Sequence, residues 1–118
     1  MTNITAKPTR LEDSDDLDAF VAEHDVALVE FYTKGCAKCA AMEPVLGNVA
    51  KATDVAVGMA NPGDDIALLE RFNVQSVPTL LLFRDGELVA RKSSGFQGTE
   101  AVVEFLESNA PEAVAAME

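Results

Sequence analysis

The seven residues Val26-Ala-Leu-Val-Glu-Phe-Tyr32 leave a folded chain little choice. The run is apolar and β-prone with almost no alternation, so a strand made from it has no face to give to water. Such a strand belongs inside a sheet covered on both sides by helices. The stretch that follows, Ala37 to Lys51, is alanine-rich and predicts a helix, with Met42, Val45, Leu46 and Val49 at helical spacing and a kink at Pro44. Between strand and helix stand Cys36-Ala-Lys-Cys39, the only cysteines of the chain.

The remaining pattern alternates in the same way. Residues 1 to about 13 are polar, with room for a short edge strand near Ala6 to Arg10 that Pro8 limits. Ser14, followed by Asp15, Asp16 and the stripe Leu17, Phe20, Val21 and His24, predicts a helix capped at Ser14. A second strand is expected over Asp54 to Ala60. Asn61-Pro-Gly-Asp-Asp65 then turns the chain into a helix with Ile66, Leu69 and Phe72 inward. Val77-Pro78 breaks the pattern, Thr79 to Phe83 resumes as strand, Asp85-Gly86 marks a tight turn, and Glu87 to Lys92 completes a hairpin. Gly95 and Gly98 mark a loop, and Thr99 to Ser108 carries Val102, Val103, Phe105 and Leu106 as a last amphipathic helix. The fold class is therefore α/β: a central mixed sheet with parallel central strands and an antiparallel hairpin, flanked by helices on both faces. The 118 residues read as one domain, with a core over about 14–109, a polar N-terminal extension and an Ala/Glu-rich tail.

A dithiol in this setting points to electron exchange. Cys36 falls at or just before a helix N-terminus, where unpaired N–H groups and the positive dipole end favour a thiolate. A disulfide closing so short a loop stabilises the fold little, which argues against a structural role. No apolar stretch has signal-peptide or membrane-span length, so the expected location is cytoplasmic, where a CxxC pair is catalytic or metal-binding. A zinc site takes four ligands, so a metal reading needs a second pair, such as one from another chain. The one histidine, His24, lies on a different helix and reads as a core or boundary residue.

Charge narrows the partners. Twenty acidic against nine basic residues give a net charge of −11, which disfavours nucleic acid as a partner. Acids are spread over the whole chain. Such a surface resembles proteins from cells holding molar salt; an ordinary acidic protein is the other reading. Lys34 and Lys38 lie two residues either side of Cys36, a notable placement with only five lysines in the chain.

With these elements in order, Leu28-Val-Glu-Phe-Tyr32, Cys36-Ala-Lys-Cys39, Met42-Glu-Pro44, Phe72 to Phe83 with its Val77-Pro78-Thr79, Arg84-Asp-Gly-Glu87 and Gly95 resemble the thioredoxin family over roughly residues 14 to 109. CxxC alone is a weak motif; joined to Val-Pro-Thr about forty residues later in this strand order it is specific. The resemblance implies a thioredoxin fold and thiol–disulfide exchange with protein substrates. Cys36 would be the nucleophile and Cys39 the buried resolving thiol. Glu30, in place of the family's buried aspartate, would relay a proton from Cys39. Pro78 would be in cis beside the cysteines, with the Val77 backbone pairing with substrate. It further implies no cofactor beyond the dithiol, no metal, an electron donor resembling thioredoxin reductase, and a monomer.

The departures are Gly35 where the family usually has Trp, Ala37-Lys38 where it usually has Gly-Pro, and Met59 where a lysine typically neighbours the buried acid. Gly35 and Gly95 are expected to leave the surface around Cys36 open, with Tyr32 and Phe96 as apolar contacts or plain packing residues. Lys38 is either a stabiliser of the Cys36 thiolate or a solvated lysine. The expected function is protein disulfide reduction. Alternatives are a more oxidising dithiol oxidase or isomerase-like protein, and a binding or metal-delivery module.

Overall fold

The computed structural model describes residues 7–114. In chain order the elements are β1 (Thr9–Leu11), α1 (Ser14–Glu23), β2 (Val26–Phe31), α2 (Ala37–Ala52), β3 (Ala56–Ala60), α3 (Ala67–Phe72), β4 (Thr79–Arg84), β5 (Glu87–Lys92), α4 (Thr99–Asn109) and α5 (Pro111–Val114). The strands form one mixed sheet in the order β1-β3-β2-β4-β5. β1 and β2 run parallel to β3, while β4 is antiparallel to β2 and β5. This is the expected α/β architecture, with the hairpin at one side.

The apolar run decides the layering. All six residues of β2 are buried, and alternation sends them into two cores. Leu28 meets Met42, Leu46 and Val49 of α2 and Val102 and Leu106 of α4 on one face. Ala27, Val29 and Phe31 meet Leu17 and Phe20 of α1 and Phe72 of α3 on the other. The turn expected at Asp85-Gly86 is present. Both residues have positive φ, 52° and 83°, the geometry that matches the twist of two antiparallel strands.

Four local expectations change. The cap of α1 is Asp13, not Ser14: Asp13 is extended and its carboxylate accepts the Asp16 N–H at 2.9 Å, while Ser14 is already helical. Ile66 is not inward. The helix begins after it, Leu68 and Phe72 form its buried pair one turn apart, Leu69 is half-buried, and Ile66 is 66% exposed. The edge strand is Thr9–Leu11, just past Pro8, and the Ala6 end of the expected strand lies outside the described residues. β3 is shorter than expected, because Thr53 Oγ1 accepts the Val55 N–H and holds that segment in a turn until Ala56.

α2 runs through Pro44 as one helix. At the tail, α5 buries Ala113 and Val114 in the α2-side core, and its Ala113 carbonyl accepts the Asp54 N–H at 3.0 Å. His24 is a boundary residue, its ring 4.9 Å from that of Phe20.

Candidate active site

β2 ends at Phe31, and after five intervening residues the chain enters α2 at Ala37. Cys36 is the N-cap of that helix: its backbone is extended and its Sγ accepts the Cys39 N–H at 3.1 Å. The two cysteines are disulfide-bonded with Cα atoms 5.2 Å apart. Cys36 is half-buried, whereas Cys39 is only 3% exposed, facing the core from the first turn of α2. The sequence placed both correctly because a cap and a first-turn position are local properties. When the pair is reduced, the sulfur of Cys36 lies against the unpaired N–H groups of the helix start, which favours its thiolate.

The pairing of β2 with β4 sets Phe31 opposite Thr79. The cis Val77-Pro78 bond thus stands at the same end of the sheet as the dithiol. Pro78 is buried and Val77 half-buried. Val77 lines a mostly apolar cleft of about 400 Å³ with Thr33, Pro62, Ile66, Leu69 and Val74. Ile66, which sequence periodicity turned inward, is therefore an exposed apolar rim residue on the dithiol side. Gly35 and Gly95 both have positive φ, 80° and 76°. A side chain on Gly35 would meet nothing within 4 Å, so the approach to Cys36 is open. The Gly95 loop is tied down by the Gln97 N–H, which donates to Met42 Sδ at 3.3 Å. Phe96, beside it, is 49% exposed, while Tyr32 is half-buried against the α2-side core.

Glu30 is the electrostatic oddity. It lies on β2 with its side chain 0% exposed, and neither carboxyl oxygen has a hydrogen-bond partner among the described residues. By alternation it shares the α2-facing side of β2 with Leu28. Its neighbour across the ladder is Met59, the position where a lysine was expected to be missing. Met59 also lines the cleft at the disulfide, with Tyr32, Lys34, Cys36, Cys39 and Glu43. Burial first, and the Glu43 charge second, push the Glu30 carboxyl from its ordinary 4.5 up to about 8. A buried acid with such a value can exchange a proton with a thiol, whose ordinary pKa is ~8.5.

Glu43 was missed by the sequence reading. The signal was there: it follows Cys39 by four residues on α2, and such residues share a helix face. Also missed was Arg10, whose Nη1 donates to Tyr32 Oη at 2.6 Å and whose guanidinium lies 5.8 Å from that ring. Lys38 is exposed, and its Nζ reaches toward the Gly95 loop, 3.8 Å from where a Gly95 Cβ would stand. Among the described residues no group of three or more His, Cys, Asp or Glu is arranged to hold a metal ion.

The thioredoxin family model matches residues 8–108. The chain belongs to the thioredoxin family. A thioredoxin of Chlamydia pneumoniae is 37% identical over 79 residues, covering 66% of this chain and 76% of that protein. A protein disulfide isomerase-like 1-4 of Oryza sativa subsp. japonica is 34% identical over 92 residues, which span 74% of this chain but 16% of the rice protein. Among solved structures, a mutant thioredoxin from Halobacterium salinarum NRC-1 superimposes with a TM-score of 0.85. It is 34% identical and is covered over 96% of its length by 92% of this chain. As a member of this family with a close CxxC pair, the thioredoxin is a thiol–disulfide oxidoreductase whose redox group, the Cys36–Cys39 disulfide, belongs to the chain itself.

Proposed function

We propose that this thioredoxin reduces protein disulfides, with Cys36 as nucleophile and Cys39 as resolving thiol. The observation that carries the reading is the unequal cover of the two sulfurs: Cys36 half-buried at the helix cap, Cys39 closed off one turn inside. The Cys36 thiolate attacks one sulfur of a substrate disulfide, and the other substrate sulfur leaves as a thiolate that takes up a proton. Cys39 then loses its proton and attacks Sγ of Cys36. The second substrate thiol is released and the chain's own disulfide closes. Two electrons have passed to the substrate.

In this reading Glu30 accepts the Cys39 proton from the minority ionised form present at neutral pH, supported by its place on the α2-facing side of β2 and by a pKa raised toward that of a thiol. The substrate lies over Gly35 and Gly95 and along the backbone at Val77, next to Pro78. The open space at Gly35 and the apolar cleft beside Val77 support that path. The partners are disulfide-bearing proteins and, for recharging, an electron donor of the thioredoxin-reductase kind. We take the chain, 1–118, as one monomeric domain acting in the cytoplasm. No described helix is long and apolar enough to cross a membrane. Addition of the protein to insulin and dithiothreitol should bring on turbidity well before dithiothreitol alone does; no acceleration would remove the reductase reading.

One observation favours a more oxidising variant of the same chemistry: the cation Lys38 in the first turn of α2. A lysine there opposes the helix dipole at a cost of ~0.3–1 kcal/mol, and it offsets that cost only when a thiolate is beside it. Stabilising the thiolate stabilises the reduced form, which makes the disulfide a stronger oxidant. Lys38→Ala should therefore raise the Cys36 pKa and make the potential more negative. Thiol titration in low salt checks this, and an unmoved titration leaves Lys38 a solvated side chain. The binding or metal-delivery reading has two sulfur donors to offer among the described residues, where a zinc site takes four ligands.

A further inference from the structure

The nine cations of this acidic chain are unevenly used. Arg71 pairs with Asp18 and Arg84 with Glu112, and Arg91 donates to the carbonyls of Phe72 and Asn73. Lys51 is in the last turn of α2 and Lys92 in β5. Lys7, two residues before β1, is level with the start of β3, away from the dithiol, and lines a cleft with Glu23, His24 and Asp54. The other three, Arg10, Lys34 and Lys38, collect around the dithiol. Lys34 lines the cleft at Cys36. Arg10 is bonded to Tyr32 of that cleft, and with Lys7 it lines an adjoining cleft that shares Met59 and Glu43. Lys38 extends over the Gly95 loop on the α2 side. None of the three has an ion-pair partner among the described residues, although the chain carries 20 acids. Glu43 is the one acid lining these two clefts.

We propose that this cationic ring selects substrates by charge: the preferred disulfides are those flanked by acidic residues. The inference rests on the reductase reading above and deepens it. It runs against the net charge, which at −11 predicts attraction of basic polypeptides. The reason lies in range. At 0.15 M salt the Debye length is ~8 Å, so a segment docked at Cys36 feels the charges next to it and not the distant acids. A basic segment meets the acidic surface anywhere else on the molecule, and at the dithiol it meets three like charges. An acidic segment is repelled at long range and held at the one place where its disulfide can react.

The test uses three peptides with the same cysteine loop, flanked by Asp/Glu, by Ser/Gln, or by Lys. Each is mixed with the reduced full-length protein, and the second-order rate constant is divided by that peptide's rate with dithiothreitol, which removes the peptide's own reactivity. At 50 mM salt the acidic peptide should react ~10-fold faster than the basic one, and the ratio should approach one in 1 M salt, where the Debye length is ~3 Å. In the R10Q/K34Q double variant, both changes being at exposed positions, the low-salt ratio should fall to ~3 or less. Equal rates for the three peptides, or a ratio the double variant leaves intact, overturn the charge preference while the reductase reading stands. If no peptide oxidises the dithiol, both fall together. The salt series on the unaltered protein decides the matter even where the double variant folds poorly.

Discussion

A Cys39→Ser variant should attack a substrate disulfide once and then stay attached to it. The cap sulfur of Cys36 remains available at the cleft, so the first exchange proceeds. Serine offers no thiol to break the mixed disulfide. Incubated with oxidised insulin or a disulfide peptide, this variant should shift in mass by one substrate chain, and the adduct should vanish on adding dithiothreitol. The Cys36→Ser variant should form no adduct. Both should lose catalysed turnover completely, falling to the rate of dithiothreitol alone. An adduct on Cys36→Ser instead of Cys39→Ser would reverse the assignment of the two sulfurs, which rests on their unequal cover.

The second large effect is on stability and comes from Glu30. Below pH 4.5 its carboxyl is protonated whether the chain is folded or not. From 4.5 to about 8 the folded protein holds a proton that the unfolded chain has lost, because burial and Glu43 disfavour the charge. Protonated Glu30 therefore contributes stability that is fully present at the acid end and lost as pH rises through about 8. Between pH 5 and pH 9 this one group should remove about 4 kcal/mol from the unfolding free energy. Glu30→Gln has no proton to lose, so its denaturation midpoint should change much less over the same range, and at pH 9 it should unfold later than the native protein. Its turnover with protein disulfides should nevertheless be slower, because the amide cannot accept the Cys39 proton. Glu43→Gln removes the smaller cause and should move the stability transition slightly to lower pH. Parallel pH slopes for native and Glu30→Gln proteins would mean that the carboxyl is ionised throughout, and the proton-relay role would lose its support.

Much of the fold and part of the site could be read in the residues, and the difference is one of range. β2 was legible because a seven-residue run, apolar but for Glu30 and with little alternation, admits one environment, covered on both faces. The hairpin was legible because Asp-Gly answers to a turn with positive φ at both positions. The placement of Cys36 at a cap and Cys39 inside needed only the strand-to-helix junction. Where the reading failed, it was at element ends, in the choice between near-equal neighbouring positions. Ile66 fits an inward helical stripe, yet the helix starts one residue later and leaves it on the rim beside Val77. Ser14 and Asp13 are both good caps, and the hydrogen bond from the Asp16 N–H chose the latter.

The sequence by itself determined the dithiol, the helix start that favours its thiolate, the covered strand carrying Glu30 and the proline at Val77-Pro78. Each follows from side-chain type and spacing along a few residues. Tertiary structure alone decided what surrounds them. It brought Val77 and the apolar cleft to the end of the sheet that holds the dithiol, through the pairing of Phe31 with Thr79. It set Glu30 beside Met59 with no partner for its oxygens, which is why its carboxyl is pushed so far up. It also brought Arg10 on β1 past β3 to Tyr32 just beyond the end of β2, and with it gathered three unpaired cations around Cys36 in a chain of net charge −11. Local preferences act within a turn of helix or a step of strand. The electrostatics of a site depend on residues that only the strand order makes neighbours.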